Sequence, residues 1–228
     1  TDVGTYDMGV KAEDFTNVSS NFTVTFQVVD GALEITPVTD EVTVTVTEHE
    51  DSVMYDGKAH TVSGYDVSIS NGLYTEADFS FSGDDTVSGT DAAIYEMELK
   101  SADFENLSDN FTNVTFVIVD AELTIDPAPL TVTTESASKI YDATALTAGG
   151  TIEGLMPGET VSFAVTGSRT DVGSSANSYS LVWNGTAKKS NYDLTANIGT
   201  LTVEELAITV TVTGNTGSKM YNGSEQAV

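Results

Sequence analysis

The sequence predicts an all-β fold: small β-sandwich modules of the immunoglobulin-like kind, strung in tandem as an elongated array. Three observations carry this. Apolar and polar residues alternate with period two in runs such as "VTVTVT", Val42 to Thr47, the pattern of a half-buried strand. Such runs return every 8–12 residues or so between turn residues, the spacing of a small sandwich. A long unit is repeated, which points to an array of similar modules.

The repeat shows first in two long matching strings. "KAEDFTNVSSNFTVTFQVVDGALEITP" (Lys11 to Pro37) and "KSADFENLSDNFTNVTFVIVDAELTIDP" (Lys100 to Pro127) share Lys, Asp-Phe, Asn-Phe, Val-Thr-Phe, Val-Asp, Leu, Ile and Pro in order, with Asn113 inserted in the second. Upstream, "TDVGTYDM" at Thr1 aligns with "TDAAIYEM" at Thr90, and "TDVG" returns at Thr170. A looser third copy of the closing part is "SNYDLTANIGTLTVEE", Ser190 to Glu205. Tyr55, Tyr141 and Tyr221 mark a shared opening and lie 86 and 80 residues apart. The chain therefore reads as the closing part of a repeat over 1–38, complete repeats over 40–128 and 129–205, and an opening part over 206–228. On this reading it is expected to be a window on a longer array.

Each element follows from local pattern. "FTVTFQVVDGALEI" reads as a hairpin, two β-rich runs around Asp30-Gly31, a pair that tolerates positive φ. Asp120-Ala121 stands there in the next copy. "VTVTVT" at Val42, "LTVTT" at Leu130 and "ITVTVTG" at Ile208 are strands that open successive repeats. Helix is confined to one turn in "SADFENLSD", with Ser101 as cap and Phe104 and Leu107 on one face. A β-grasp-like sheet carrying one short helix is the alternative module. Pro37, Pro127 and Pro129 fall between repeats, where they deny a donor to any continuing sheet and stiffen the junction.

Composition narrows the function. Eight Lys and Arg stand against 35 Asp and Glu, a formal net charge of −27. Nucleic acid and anionic membrane surfaces would be repelled. Cysteine is absent, which excludes disulfides, thiolate metal sites and a cysteine nucleophile. No apolar run approaches the ~18 residues of a membrane-spanning helix. Neither a nucleophile–His–acid spacing nor a phosphate-cradling glycine loop is present, so no enzyme is expected and no catalytic residue is assigned.

A few residues stand out as candidates. Tyr179, Leu181 and Trp183 share one strand face. The two aromatics could stack on a sugar ring or simply belong to the core, and Trp183 is the only tryptophan. Asp84, Asp85 and Asp91 form an acidic loop whose oxygens suit calcium, or which is merely solvated; otherwise no cofactor is called for. Tyr55, Tyr141 and Tyr221 read as structural corners, with the ring buried and the hydroxyl bonded. His49 and His60 read as strand-surface residues. Lys11, Lys100, Lys139 and Lys219 recur before strands and raise a Lys–Asn isopeptide crosslink, which needs a buried Lys, an Asn and a carboxylate in contact. Seven Asn-X-Ser/Thr strings, among them Asn106, Asn110 and Asn113, are glycan acceptors in a eukaryotic secretory chain and compositional in a prokaryotic one.

The "YDG" corner, the later "SNF" or "SNYD", and the closing "GTLTV" or "GALEITP" before the next "ITVTV" resemble the MBG and YDG-type repeats of large bacterial surface proteins. Ala143 in place of the glycine and Glu204-Glu205 in place of the proline linker depart from that grammar. The resemblance implies a secreted, cell-surface or cell-wall location and a stalk or adhesive role. The partners it implies are neighbouring repeats, and host or community glycans or proteins if the repeats themselves bind. A laterally associating filament is the third reading.

Overall fold

A computed structural model describes residues 2–228. The protein is all-β, two tandem modules of small mixed sheets, and it divides into two compact units. The first comprises residues 1–128 together with Ser190–Tyr192; the second comprises 129–189 and 193–228.

The first unit begins with β1 (Gly4–Asp7), which pairs antiparallel with β2 (Ala32–Ile35) on an exposed surface. Its main body has ten strands. These are β3 (Val42–Glu48), β4 (Asp51–Met54), β5 (His60–Ser63), β6 (Tyr65–Ile69), β7 (Phe79–Phe81), β8 (Thr86–Gly89), β9 (Ala93–Glu96), β10 (Phe104–Asn106), β11 (Val114–Val119) and β12 (Glu122–Asp126). Two three-stranded mixed sheets organise them. In one, β3 lies between antiparallel β6 and parallel β11; in the other, β12 lies between parallel β4 and antiparallel β9. Two antiparallel pairs, β5 with β8 and β7 with β10, complete the unit.

The alternation in β3 does what its pattern predicts. Val42, Val44 and Val46 are fully buried while the threonines between them are not. Full burial of such a side chain contributes about 1.5–3 kcal/mol. Leu123 and Ile125 of β12 supply buried residues from the other sheet. An aromatic cluster joins the β3 sheet to the β7–β10 pair. Phe104 lies 4.9 Å from Phe81, 5.4 Å from Tyr65, 5.5 Å from Phe116 and 6.0 Å from Phe79, ring centre to ring centre.

The structure departs from three local expectations. The two runs around Asp120-Ala121 are strands, β11 and β12, but they do not form a hairpin. Each joins a different sheet, parallel to a strand from the opening of the repeat. In the copy at 22–35 only the second run is a strand, and it pairs with β1. The "SADFENLSD" helix is a single 3-10 turn, Ser101–Asp103, and Ser101 does not cap it. The Asp103 carboxylate accepts the Lys100 backbone N–H at 2.8 Å, as Asp78 does from Thr75 and Asp14 from Lys11. Phe104 leaves the turn for β10 and the core, and Leu107 is exposed.

The second unit carries the same plan. Its strands are β13 (Ala128–Thr134), β14 (Ala137–Ile140), β15 (Gly150–Glu153), β16 (Ser162–Val165), β17 (Gly173–Ala176), β18 (Tyr179–Val182), β19 (Tyr192–Asn197) and β20 (Thr200–Glu204). β13 lies between β15 and β19, and β20 lies between parallel β14 and antiparallel β17. Leu130, Val132, Leu201 and Val203 are buried on these central strands. Pro129 does not sit between elements; it is the second residue of β13. It lies ahead of the stretch that pairs with β15, which begins at Thr131, so its missing N–H costs no bond to that strand. Its carbonyl lies so close to Gly154 (φ 107°) that a Cβ there would stand 2.3 Å from it.

Residues 206–228 contain no strand. Ile208, Val210 and Val212 alternate as a strand should, yet all are exposed. Strand-like patterning has value only where a ladder partner and an apolar face oppose it, and this segment has neither.

Candidate functional site

A hydrogen-bonded clamp occurs twice among the described residues. In the first, Asn110 stands in a turn midway along the loop between β10 and β11. Its side-chain oxygen accepts the Val3 N–H at 2.7 Å, and its amide nitrogen donates to the Asp2 carboxylate at 3.1 Å. In the second, the Asn191 oxygen accepts the Ala92 N–H at 2.9 Å, and its amide donates to Asp91 at 2.9 Å. Both Asp residues are held the same way from behind. The Tyr6 hydroxyl donates to the Asp2 carbonyl at 2.8 Å, and the Tyr95 hydroxyl to the Asp91 carbonyl at 3.0 Å. A Cβ on Gly89 would lie 2.2 Å from the Tyr95 ring, so that glycine makes room for it.

Asn191 is buried, and next to it the Tyr192 ring packs edge-on against Tyr55 at 5.7 Å. Ser190, Asn191 and Tyr192 all belong to the first compact unit, although in sequence they lie in the second repeat. One side-chain amide thus satisfies a donor and an acceptor together, and does so without adding charge to a strongly acidic chain. Asn191 stands in the repeated string "SNYD" and Asn110 in an Asn-X-Thr string, and neither string by itself announces this task. The signal that could have found them is that a repeated Asn-aromatic pair accompanies a repeated Thr-Asp.

The corner tyrosines fall into three environments. Tyr55 is buried, Tyr141 is 36% exposed and Tyr221 is 90% exposed. A buried ring is therefore not a property of the corner position itself; the buried one, Tyr55, has Tyr192 packed against it. The backbone around the first two is nonetheless alike. The Tyr55 N–H donates to the Asp126 carbonyl and the Tyr141 N–H to the Glu204 carbonyl, each at 2.8 Å.

Tyr179, Leu181 and Trp183 do share a face on and just beyond β18. All three are half-buried, and Tyr179 lies 6.1 Å from Phe163. The acidic loop is not gathered. Asp84 accepts the Thr86 N–H, Asp91 is engaged by Asn191, and among the described residues no group of three or more His, Asp or Glu is placed to hold a metal ion. A separate cleft of about 540 Å³ carries Glu50, Glu96, Glu98, Asp120 and Glu122 beside Lys100. At its wall the buried Glu48 accepts the Leu99 and Ala121 N–H groups, each at 2.9 Å.

The Lys139 amine is committed elsewhere than to an asparagine. It donates to Asp142 at 2.6 Å and to the Thr144 carbonyl and hydroxyl at 2.6 and 2.7 Å. That contact pushes the Asp142 carboxyl well below its usual range, with the Thr144 N–H helping. His60 bonds Asp56 at 2.9 Å, and together with the Lys58 N–H it lowers the Asp56 pKa to about 2. Both pKa values are depressed, so what these contacts contribute is present above about pH 4 and lost as pH falls through the lowered values. Both groups are solvent-screened, so the contribution is small. A carbon-detected NMR titration should find Asp56 and Asp142 still mostly ionised at pH 3, where an aspartate of ordinary pKa is mostly protonated.

Residues 42–127 match the family model described as MBG domain, and residues 130–202 match the model described as MBG domain (YGX type). Neither is a catalytic domain. No curated protein and no solved structure matches the chain.

Proposed function

We propose that this chain, which belongs to the MBG domain family through two tandem modules, is a load-bearing spacer that holds a binding head away from a bacterial surface. MBG repeats are typical of bacterial surface proteins. No helix of the described residues is long and apolar enough to cross a membrane.

The observation that supports the reading lies inside each module. Opening and closing strands are paired in parallel: β3 with β11 and β4 with β12 in the first, β14 with β20 in the second. In a parallel pair the start of one strand and the end of the other lie at opposite ends of the ladder. Tension along the chain therefore loads all ladder bonds in shear together instead of peeling them singly. A spacer needs this property, and a module that only presents a ligand surface does not.

Single-molecule pulling tests it. Extension through the chain ends should release each module in one step of roughly 250–300 Å, given a contour of about 3.3–3.6 Å per residue. The chain has no cysteine, so a Ser82→Cys, Asp103→Cys pair can be placed uniquely. It would pull the antiparallel β7–β10 pair apart from its end, where Phe81 faces Phe104. Unfolding through the chain ends is expected to need the larger force; the reverse order would sink the spacer reading.

Glycan binding at the Tyr179–Trp183 face is the competing proposal. Trp183 alone reports tryptophan emission, so a titration with oligosaccharides reads it directly. A spacer leaves the spectrum unchanged; a saturable shift favours binding.

A further inference from the structure

We infer that the surface formed by Asp171, the Val172 N–H and Tyr141 in the second unit is a docking site for the Asn-aromatic pair of one further repeat following in the array. The observations behind it are the two occupied copies of the same site. Asn110 fills the one built by Asp2 and Val3, and Asn191 fills the one built by Asp91 and Ala92, with Tyr192 covering Tyr55.

The third copy has the same backbone frame. The residue after the clamped dipeptide pairs with the closing strand in one register throughout: Gly4 with Ile35, Ala93 with Ile125, Gly173 with Val203. Tyr141 bonds to Glu204 as Tyr55 bonds to Asp126. "TDVG" at Thr170 is identical to the string at Thr1. One support differs, because Ser175 stands where Tyr6 and Tyr95 stand. Arg169 takes over the task and holds the loop by donating to the Val172 carbonyl at 2.7 Å.

The third copy also has open valences. Asp171 is exposed, Val172 is 43% exposed, and no described residue bonds to the Asp171 carboxylate or the Val172 N–H. Tyr141 keeps the exposure that Tyr192 removes from Tyr55. The occupant's chemistry is set by these groups. It needs one acceptor for an N–H, one donor for a carboxylate, no negative charge, and an aromatic ring on the next residue. Asparagine followed by Phe or Tyr meets all four conditions. Aspartate would meet Asp171 with like charge, and leucine would leave both groups unpaired.

The test extends the full chain beyond Val228 with a copy of its own residues 63–128. Tyr221 corresponds to Tyr55 and Val228 to Val62, so the addition completes a repeat that carries a second Asn110–Phe111 pair. Amide hydrogen exchange at Val172 should slow about tenfold or more relative to the unextended chain, the worth of one hydrogen bond. Tyr141 should lose its reactivity toward a phenol-acylating reagent. Asn→Ala in the appended copy should restore both, while the Ala92 amide stays protected by Asn191 in every version and reports the fold. Equal Val172 exchange in all three proteins overturns the inference. If the appended segment does not fold, a copy of residues 129–205 fused after Glu205 brings an Asn191–Tyr192 pair to the same readout, with the same deciding outcomes. The pulling experiment is indifferent to this result, since it loads ladders within modules.

Discussion

Phe104→Ala is expected to remove about 3–5 kcal/mol from the stability of the first unit, the largest single effect foreseen in this chain. Phe104 is 5% exposed and is the ring on which four others converge: Tyr65 from β6, Phe79 and Phe81 from β7, and Phe116 from β11. Truncation leaves a cavity between the β3 sheet and the β7–β10 pair, and the rings around it are held by strands that cannot collapse inward. In the second unit Phe163 and Tyr179 approach each other at 6.1 Å. Leu107→Ala, three residues on at an exposed position, should stay within about 0.5 kcal/mol. Chemical denaturation of both variants checks this. Equal losses would mean that the two residues share a buried helical face after all.

Glu48 is the second. It is buried, and its two oxygens take one backbone N–H each, from Leu99 and from Ala121. Each donor left without a partner costs about 1–3 kcal/mol. Glu48→Ala should therefore destabilise by roughly 2–5 kcal/mol, and Glu48→Gln by about 1–3 kcal/mol, because the new NH2 confronts one of the two donors. The second unit shows how the same corner is satisfied without a carboxylate. Thr134 accepts the Gly199 N–H at 2.9 Å, and Asn177 donates to the Glu135 carbonyl at 2.9 Å. If Glu48→Ala unfolds at the same denaturant concentration as the parent, the carboxylate is incidental.

Glu48 also marks the limit of what sequence pattern conveys. Alternation at Val42, Val44 and Val46 announced a strand and its buried face, because side-chain direction is a local property of extended backbone. The repeat and its family were legible from the order of short strings. Which strands pair was not. "VTFVIVDAELTI" has every local feature of a hairpin, yet the Ala121 N–H is taken by Glu48, 73 residues away in sequence, and the two runs part into separate sheets. Period-two patterning is blind to that choice. It also could not tell Val42–Thr47, which has partners on both sides, from Ile208–Thr213, which has none. Ser101 looked like a cap because serine often is one; Asp103, three residues after Lys100, closes the turn backwards instead. The two clamping asparagines stayed hidden for a similar reason. Their partners lie about a hundred residues earlier, and only the recurrence of both halves links them.

The parallel union of opening and closing strands also governs when a module can come into being. Val42 waits for Val114, and Asp51 for Leu123. The ladder through the middle of each sheet cannot be finished until nearly the whole repeat has been synthesised. A nascent chain stopped short of β11 holds β3 with one neighbour only, β6. Closure over so long a separation is slow compared with local pairing. Each repeat thus matures as a whole, after its last strand arrives, and the Asn-aromatic pair it brings then closes the clamp of its predecessor.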